Sequence, residues 1–400
     1  MGGRSIDPLQ ATEHVGLPGI ESLEAAVAGR VVRGNSPESE VSVRPAWAQF
    51  EEIVPEAVVV CRAAADVAET VAFARRVGAE LAVRSGGHCF AGRSSTRGIL
   101  IDLSEMRSVS VADGLATVEA GALLGDVYAH LDGHGLTIAA GACPSVGIAG
   151  LTLGGGLGIL GRRYGLTSDR LVGARVVLAD GRVVDCDEQR EPDLFWALRG
   201  AGGGQFGIVT TFHFTTVAAQ DLTCFKLGWP YTQAAAVTAL WQDWAPNARD
   251  ELAASLLVNA GDTLDEPLVT IFGAMLGTET ETTDSLGLLT ARLDADPTST
   301  TIEQMPHRAA KIFLAEHASA AERSDDTTPV EPRQPSLMFA KSEFFRRPVP
   351  SEAIAALLDS FAEGRRAGQV RELDFTPWGG AYNRTPTDAT AFAHRNERFL

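Results

Sequence analysis

The chain is poor in cysteine, with five thiols in 400 residues: Cys61, Cys89, Cys143, Cys186 and Cys224. Their number is odd and no CxxC pair occurs, which argues against a disulfide framework or a cysteine-based structural zinc site and for reduced, mostly core thiols. Basic residues are scarce as well, 34 Lys and Arg against 51 Asp and Glu, for a formal net charge of −17. That balance leaves no positive stripe for nucleic acid or an anionic membrane. The opening MGGRSIDPLQATEHVG has no apolar run behind Arg4, so a secretory signal is not expected; a cytoplasmic location is, with secretion left open. Charge itself is absent between Asp132 and Arg162, long enough to suggest a membrane span. Nine glycines from Gly135 to Gly161, together with Pro144, argue against a lipid-facing helix and for backbone-rich loops.

What is present is a chain large enough for two domains. DVAETVAFARRVG sets Val67, Val71 and Ala74 on one helical face; Asp66 is expected to cap its start and Gly78 to end it. A short strand at 81–84 leads into a glycine turn, GILIDL at 98–103 and LATVEAG at 115–121 read as strands, and ALLGDVYAHL at 122–131 as an amphipathic helix. ARVVLADGRVVDC at 174–186 reads as a hairpin about Asp180 and Gly181, followed by the helix DLFWALRG and the strand GIVTTFHF. Hairpins mixed with short helices predict an α+β fold. Beyond Val217 glycine thins, and strands such as SLLVN and LVTIFGAML alternate with helices such as PSEAIAALLDSFAEG. The expected division is a ligand-binding domain at 1–217, a substrate domain at 218–385, and a final 386–400 returning to the first. SDDTTPVEPRQPS at 324–336 reads as a surface loop.

Three glycine-rich turns stand beside strands: RSGGHCFAG at 84–92, GACPSVGIAGLTLGGGLG at 141–158 and RGAGGGQFG at 199–207. Glycines let backbone amides approach a ligand and hold pyrophosphate by dipoles alone, so the three together predict one extended, phosphate-bearing ligand. A competing reading takes GLGILG at 156–161 as a nicotinamide fingerprint with Asp180 as its acidic partner. Its crossover helix would have to carry Gly165 and Gly173, which weakens it. His130 and His134 share the i, i+4 spacing of helical ligands, but no HExxH glutamate or third ligand accompanies them and no metal is assigned. In ELDFTPWGG at 372–380, strand alternation puts Glu372 and Asp374 on one face, as candidate bases or as plain surface carboxylates.

Taken in order, RSGGH, GACPSVGIAGLTLGGGLG, RRYGLTSDRL, RGAGGGQFGIV, PWGGAYNR and TAFAHR make the chain resemble the berberine bridge enzyme-like flavoproteins, within the superfamily of vanillyl-alcohol oxidase and p-cresol methylhydroxylase (PCMH). The likeness covers about 45–217 and 372–400. It implies a two-subdomain PCMH-type FAD-binding domain and a substrate domain with an antiparallel sheet flanked by helices. It also implies a covalent FAD, with His88 on the 8α-methyl carbon and Cys143 on C6. Arg84 then leads into a pyrophosphate cradle of Ser85, Gly86 and Gly87. Gly147, Gly150, Leu151, Gly154, Gly155, Gly156 and Gly158 approach the cofactor, and Gly207 and Val209 lie near its adenine side. Val146 matches a position that gates oxygen, where valine accompanies oxidases.

The reaction implied removes hydride from a C–H beside oxygen or nitrogen of a small alcohol, sugar or secondary metabolite, with O2 reduced to hydrogen peroxide. Glu372 matches the base of plant relatives by its distance from the paired glycines, with Asp374 beside it. Phe90 replaces a tyrosine, Leu151 a histidine and Gln205 an asparagine common in relatives. Relatives continue past TAFAHR to an asparagine-tyrosine motif, whereas this sequence stops at Leu400, so Tyr382 is the substitute candidate. A flavin-binding protein without turnover is the further alternative.

Overall fold

The computed structural model describes residues 17–34, 47–50, 52–318 and 337–400; the opening stretch read for a signal and the 324–336 loop lie outside the described residues. The first sheet holds β1 (Arg30–Arg33), β2 (Ala57–Val60), β3 (Leu81–Arg84) and β4 (Ile99–Asp102) in the order β1-β2-β4-β3. Strands β2, β4 and β3 run parallel and β1 is antiparallel to β2. AVVV and ILID carry no polar alternation because both of their faces are covered. Val59 and Ile101 point into one core, Val58 and Leu100 into another.

Strands β5 (Val109–Ala112), β6 (Leu115–Glu119), β7 (Leu136–Thr137), β8 (Leu171–Val177), β9 (Val183–Cys186) and β10 (Ile208–Thr215) come next. All but β7 form an antiparallel sheet ordered β5-β6-β10-β8-β9; β7 pairs with β11 (Val217–Ala218). The hairpin read from Asp180 and Gly181 is there, with Val177 opposite Val183 and Gly181 at φ 87°. Phe212 and Phe214 are fully buried between the half-exposed Thr211 and His213, the expected alternation.

The third sheet is antiparallel throughout: β12 (Leu222–Pro230), β13 (Leu252–Ala260), β14 (Leu268–Met275), β15 (Ser299–Met305) and β16 (Arg371–Phe375), ordered β15-β12-β14-β13-β16. Its period of two divides the strands between two cores. Phe225, Leu227 and Trp229 meet the helices Ala234–Trp244 and Ser351–Ala362 on one face. Leu222 and Cys224 meet the helix His307–His317 and Leu160 on the other. The fold is the expected α+β arrangement, two larger sheets and the two-stranded β7–β11 pair in the first half and a helix-flanked antiparallel sheet in the second.

Two expectations need correction. The helix Ala64–Val77 begins two residues before Asp66, whose carboxylate does not cap it. Instead it accepts from the amides of Ala28 (2.8 Å), Gly29 (3.1 Å) and Arg62 (2.8 Å), tying β1 to the helix; Gly78 does end the helix, at φ 71°. GLGILG also lacks the strand and crossover helix that a nicotinamide fingerprint requires. It follows the helix Ile148–Leu153 and enters the four-residue helix Gly161–Tyr164, which Gly165 ends at φ 87°. Asp180 is exposed in its hairpin turn, bonded to Arg182.

Candidate active site

Strand β3 delivers its turn at the carboxyl end of a parallel sheet. Arg84, buried at that end, donates from Nε to the Ser94 carbonyl (3.1 Å) and from Nη2 to Ser95 Oγ (3.4 Å), folding the following loop back. Burial lowers its guanidinium pKa. The next residues meet the turn at 141–147 backbone to backbone. A Cβ on Gly86 would stand 2.3 Å from the Gly147 nitrogen, and one on Gly147 would stand 2.2 Å from Ser85 Oγ and 2.3 Å from the Gly86 nitrogen. Only glycines permit that approach.

The contact brings three side chains together. His88 Nε2 lies 3.1 Å from Ser145 Oγ, and Cys143 Sγ lies 3.4 Å from the same oxygen. Trp47, fully buried, meets the His88 ring edge-on at 6.2 Å and stacks on Phe90 at 4.7 Å. Burial raises the thiol pKa values of Cys61, Cys186 (about 11) and Cys224 (about 12), core residues away from this cluster.

One cavity of about 2470 Å³ collects all three glycine-rich turns. Of the residues singled out by sequence, Ser85, Gly86, Gly87, His88, Cys143, Val146, Gly147, Gly150, Leu151, Gly154, Gly207 and Val209 line it. Glu372 and Asp374 line it from β16, an edge strand of the third sheet. Glu372 Oε1 accepts a 2.6 Å hydrogen bond from Asn259 Nδ2, directly opposite on β13.

Five candidates stand away from the cavity wall. Arg84 braces the loop as described, Gly155 faces Phe392, Gly156 faces Thr167, and Gly158 packs on the Ala140 carbonyl. Tyr382 is buried with its hydroxyl donating to the Gly158 carbonyl (2.9 Å), and burial raises its pKa. Sequence reading passed over Ser145, Asn259 and Trp47. A hydroxyl inside a Cys-Pro-Ser motif was the one signal available for the first; nothing local marks the other two.

The cavity fits an FAD. Open space lies over Gly150 and Gly204, where a side chain would meet no atom within 4 Å, so their backbone is bare toward a ligand. The volume exceeds twice the roughly 1,000 Å³ upper range of ordinary ligand pockets. Among the described residues no cluster of three or more His, Cys, Asp or Glu is placed to hold a metal, and no helix is long and apolar enough to cross a membrane.

The sequence pattern of the FAD binding domain matches residues 55–187. A Bacillus subtilis protein, the uncharacterized FAD-linked oxidoreductase YgaK, is 32% identical over 386 residues, spanning 92% of this chain and 78% of its own. The glucooligosaccharide oxidase of Sarocladium strictum is 39% identical over 215 residues, 52% of this chain and 43% of the oxidase. The solved structure of Physcomitrella patens BBE-like 1 superposes with a TM-score of 0.84 at 26% identity, covering 95% of this chain and 82% of that one. Fold, cavity and relatives together define an FAD-linked oxidoreductase. More narrowly, the chain belongs to the berberine bridge enzyme-like FAD oxidases of the vanillyl-alcohol oxidase and PCMH superfamily.

Proposed function

We propose that the cavity holds FAD bonded to both His88 and Cys143, and that the protein oxidises the carbon of a carbohydrate hydroxyl, passing the electrons to O2 to give hydrogen peroxide. The observation that carries the reading is that His88, Cys143 and Glu372 line one cavity, two nucleophiles on one wall and a carboxylate on another strand. FAD bound there supplies a two-electron acceptor for hydride from carbon. Glu372 takes the hydroxyl proton, with Asn259 holding its Oε1; Asp374, two residues along the strand, is the second carboxylate in reach. The turn of Ser85, Gly86 and Gly87 cradles the pyrophosphate, the backbone of Gly147 and Gly150 approaches the cofactor, Gly207 lies on its adenine side, and Val146 leaves room for O2. In this reading 1–217 binds flavin, 218–385 shapes the substrate space and 386–400 returns to the flavin side. Carbohydrate is favoured by the likeness to the glucooligosaccharide oxidase and by a volume that holds more than the cofactor.

The test is a mass and visible spectrum of the acid-precipitated protein, followed by peroxide release over a panel of mono- and oligosaccharides. The reading expects FAD mass to stay with the wild-type chain, to survive His88→Ala or Cys143→Ala alone, and to vanish when both are changed. A chain that sheds all FAD in acid rules out both bonds, and a sugar panel without peroxide rules out the substrate class.

A further inference from the structure

Cys143 is only 6% exposed, and its thiol has a polar atom in reach: Ser145 Oγ at 3.4 Å. The same oxygen is 3.1 Å from His88 Nε2. A hydroxyl both accepts and donates, so one arrangement satisfies both contacts: the Cys143 S–H donates to Ser145 Oγ, and the Ser145 O–H donates to His88 Nε2. The close approach of Gly86 and Gly147 fixes the spacing between the two turns that carry them.

We propose that Ser145 is a positioning residue that relays the Cys143 proton to His88. In the step the Cys143 S–H bond breaks and its proton goes to Ser145 Oγ. The Ser145 O–H bond breaks at the same time and its proton goes to His88 Nε2. No electrons are exchanged: a neutral thiol and a neutral imidazole become a thiolate and an imidazolium, and Ser145 is unchanged. The thiolate is the nucleophilic form of cysteine. The purpose of this relay rests on the attachment proposed above, because it readies Cys143 for its bond; its test does not.

The full chain made without FAD by cell-free synthesis is treated with iodoacetamide at neutral pH, and alkylation of the Cys143 peptide is followed by mass. Ser145→Ala is expected to slow alkylation by about 10²-fold, the lower end of what a positioned base contributes. Ser145→Thr, which keeps the hydroxyl, restores the rate. His88→Gln cuts the path at its other end and lowers the rate equally, and the double variant is no slower than either single one. The last comparison excludes simple misfolding, whose effects would add. Wild-type alkylation rates in Ser145→Ala, or no rescue by threonine, overturn the relay. Adding FAD separates the two proposals: rapid, serine-dependent alkylation in a chain that never gains FAD mass at Cys143 keeps the relay and rejects the second flavin bond.

Discussion

At position 147 a single methyl group decides whether the two nucleophile-bearing turns can meet. An alanine there would put its Cβ 2.2 Å from Ser85 Oγ and 2.3 Å from the Gly86 nitrogen, against backbone that cannot rotate away. Gly147→Ala is therefore expected to destabilise by about 1–3 kcal/mol and to spread His88 from Ser145, lowering flavin content in the visible spectrum. A second change tests the opposite wall. Glu372→Gln keeps an oxygen for Asn259 Nδ2 but removes the basic carboxylate, so kcat should fall about 10²- to 10⁴-fold with KM and flavin absorbance nearly unchanged. A kcat within a few-fold of wild type would transfer the base role to Asp374. The glycine-rich turns around His88 and Cys143 were legible in the sequence, and it was the family resemblance, not the spacing, that singled out these two side chains. Ser145 and Asn259 were not, since their partners lie 57 and 113 residues away and only folding defines the pair.

At the scale of elements, strands were read well because period two and the Asp180-Gly181 turn are local signals. Asp66 was misread because its hydrogen-bond donors at Ala28 and Gly29 belong to the approach to another strand. The helix His307–His317 carries a feature of the same long-range kind. Lys311 is buried on it, donating to the Ala140 carbonyl (3.1 Å) and lying over the Tyr128 ring at 4.6 Å, while Tyr128 donates to the Gly141 carbonyl (2.5 Å). Burial brings the Lys311 pKa down to about 7 from an ordinary 10.5. The unfolded chain thus binds one more proton at Lys311 between those values, and stability rises with pH across the window by up to about 1.4 kcal/mol per unit. Below pH 7 the penalty of charging the buried amine is fully present. His307, lowered to about 4 by burial and the neighbouring Lys311, titrates beneath this window, and burial moves Tyr128 above it. Urea midpoints at pH 7 and pH 9 should therefore rise more in the wild type than in Lys311→Met. Parallel changes in both proteins would mean that Lys311 stays charged in the fold.

At the scale of the whole molecule, the cavity is set between cores that different parts of the chain build, so its shape depends on what joins them. Arg162, on the segment between the second glycine turn and β8, donates to the carbonyls of Leu252, Pro246, Ala248 and Trp378, all from the second half. The final residues join from the other side. Phe399 enters the second core, Phe392 packs beside Gly155 and Gly200, and Arg395, fully buried, pairs with Asp169 at 2.7 and 2.8 Å. Neither arginine announced itself in the sequence, because a buried guanidinium looks like any surface charge until its acceptors are known. Removing one partner of a buried pair leaves the other uncompensated, so Arg395→Ala should cost about 3–5 kcal/mol in urea unfolding. Asp169→Ala with Arg395→Ala should recover part of that loss, because no lone charge then remains. If the pair couples the cores, the single variant should also unfold the third sheet before the first two, seen as tryptophan fluorescence, to which the core residues Trp229, Trp241 and Trp244 contribute half of the six indoles, changing in part ahead of the overall loss of circular dichroism. Coincident transitions at the lower midpoint would show that Arg162 and the sheet contacts suffice to hold the halves as one cooperative unit, with Arg395 contributing stability alone.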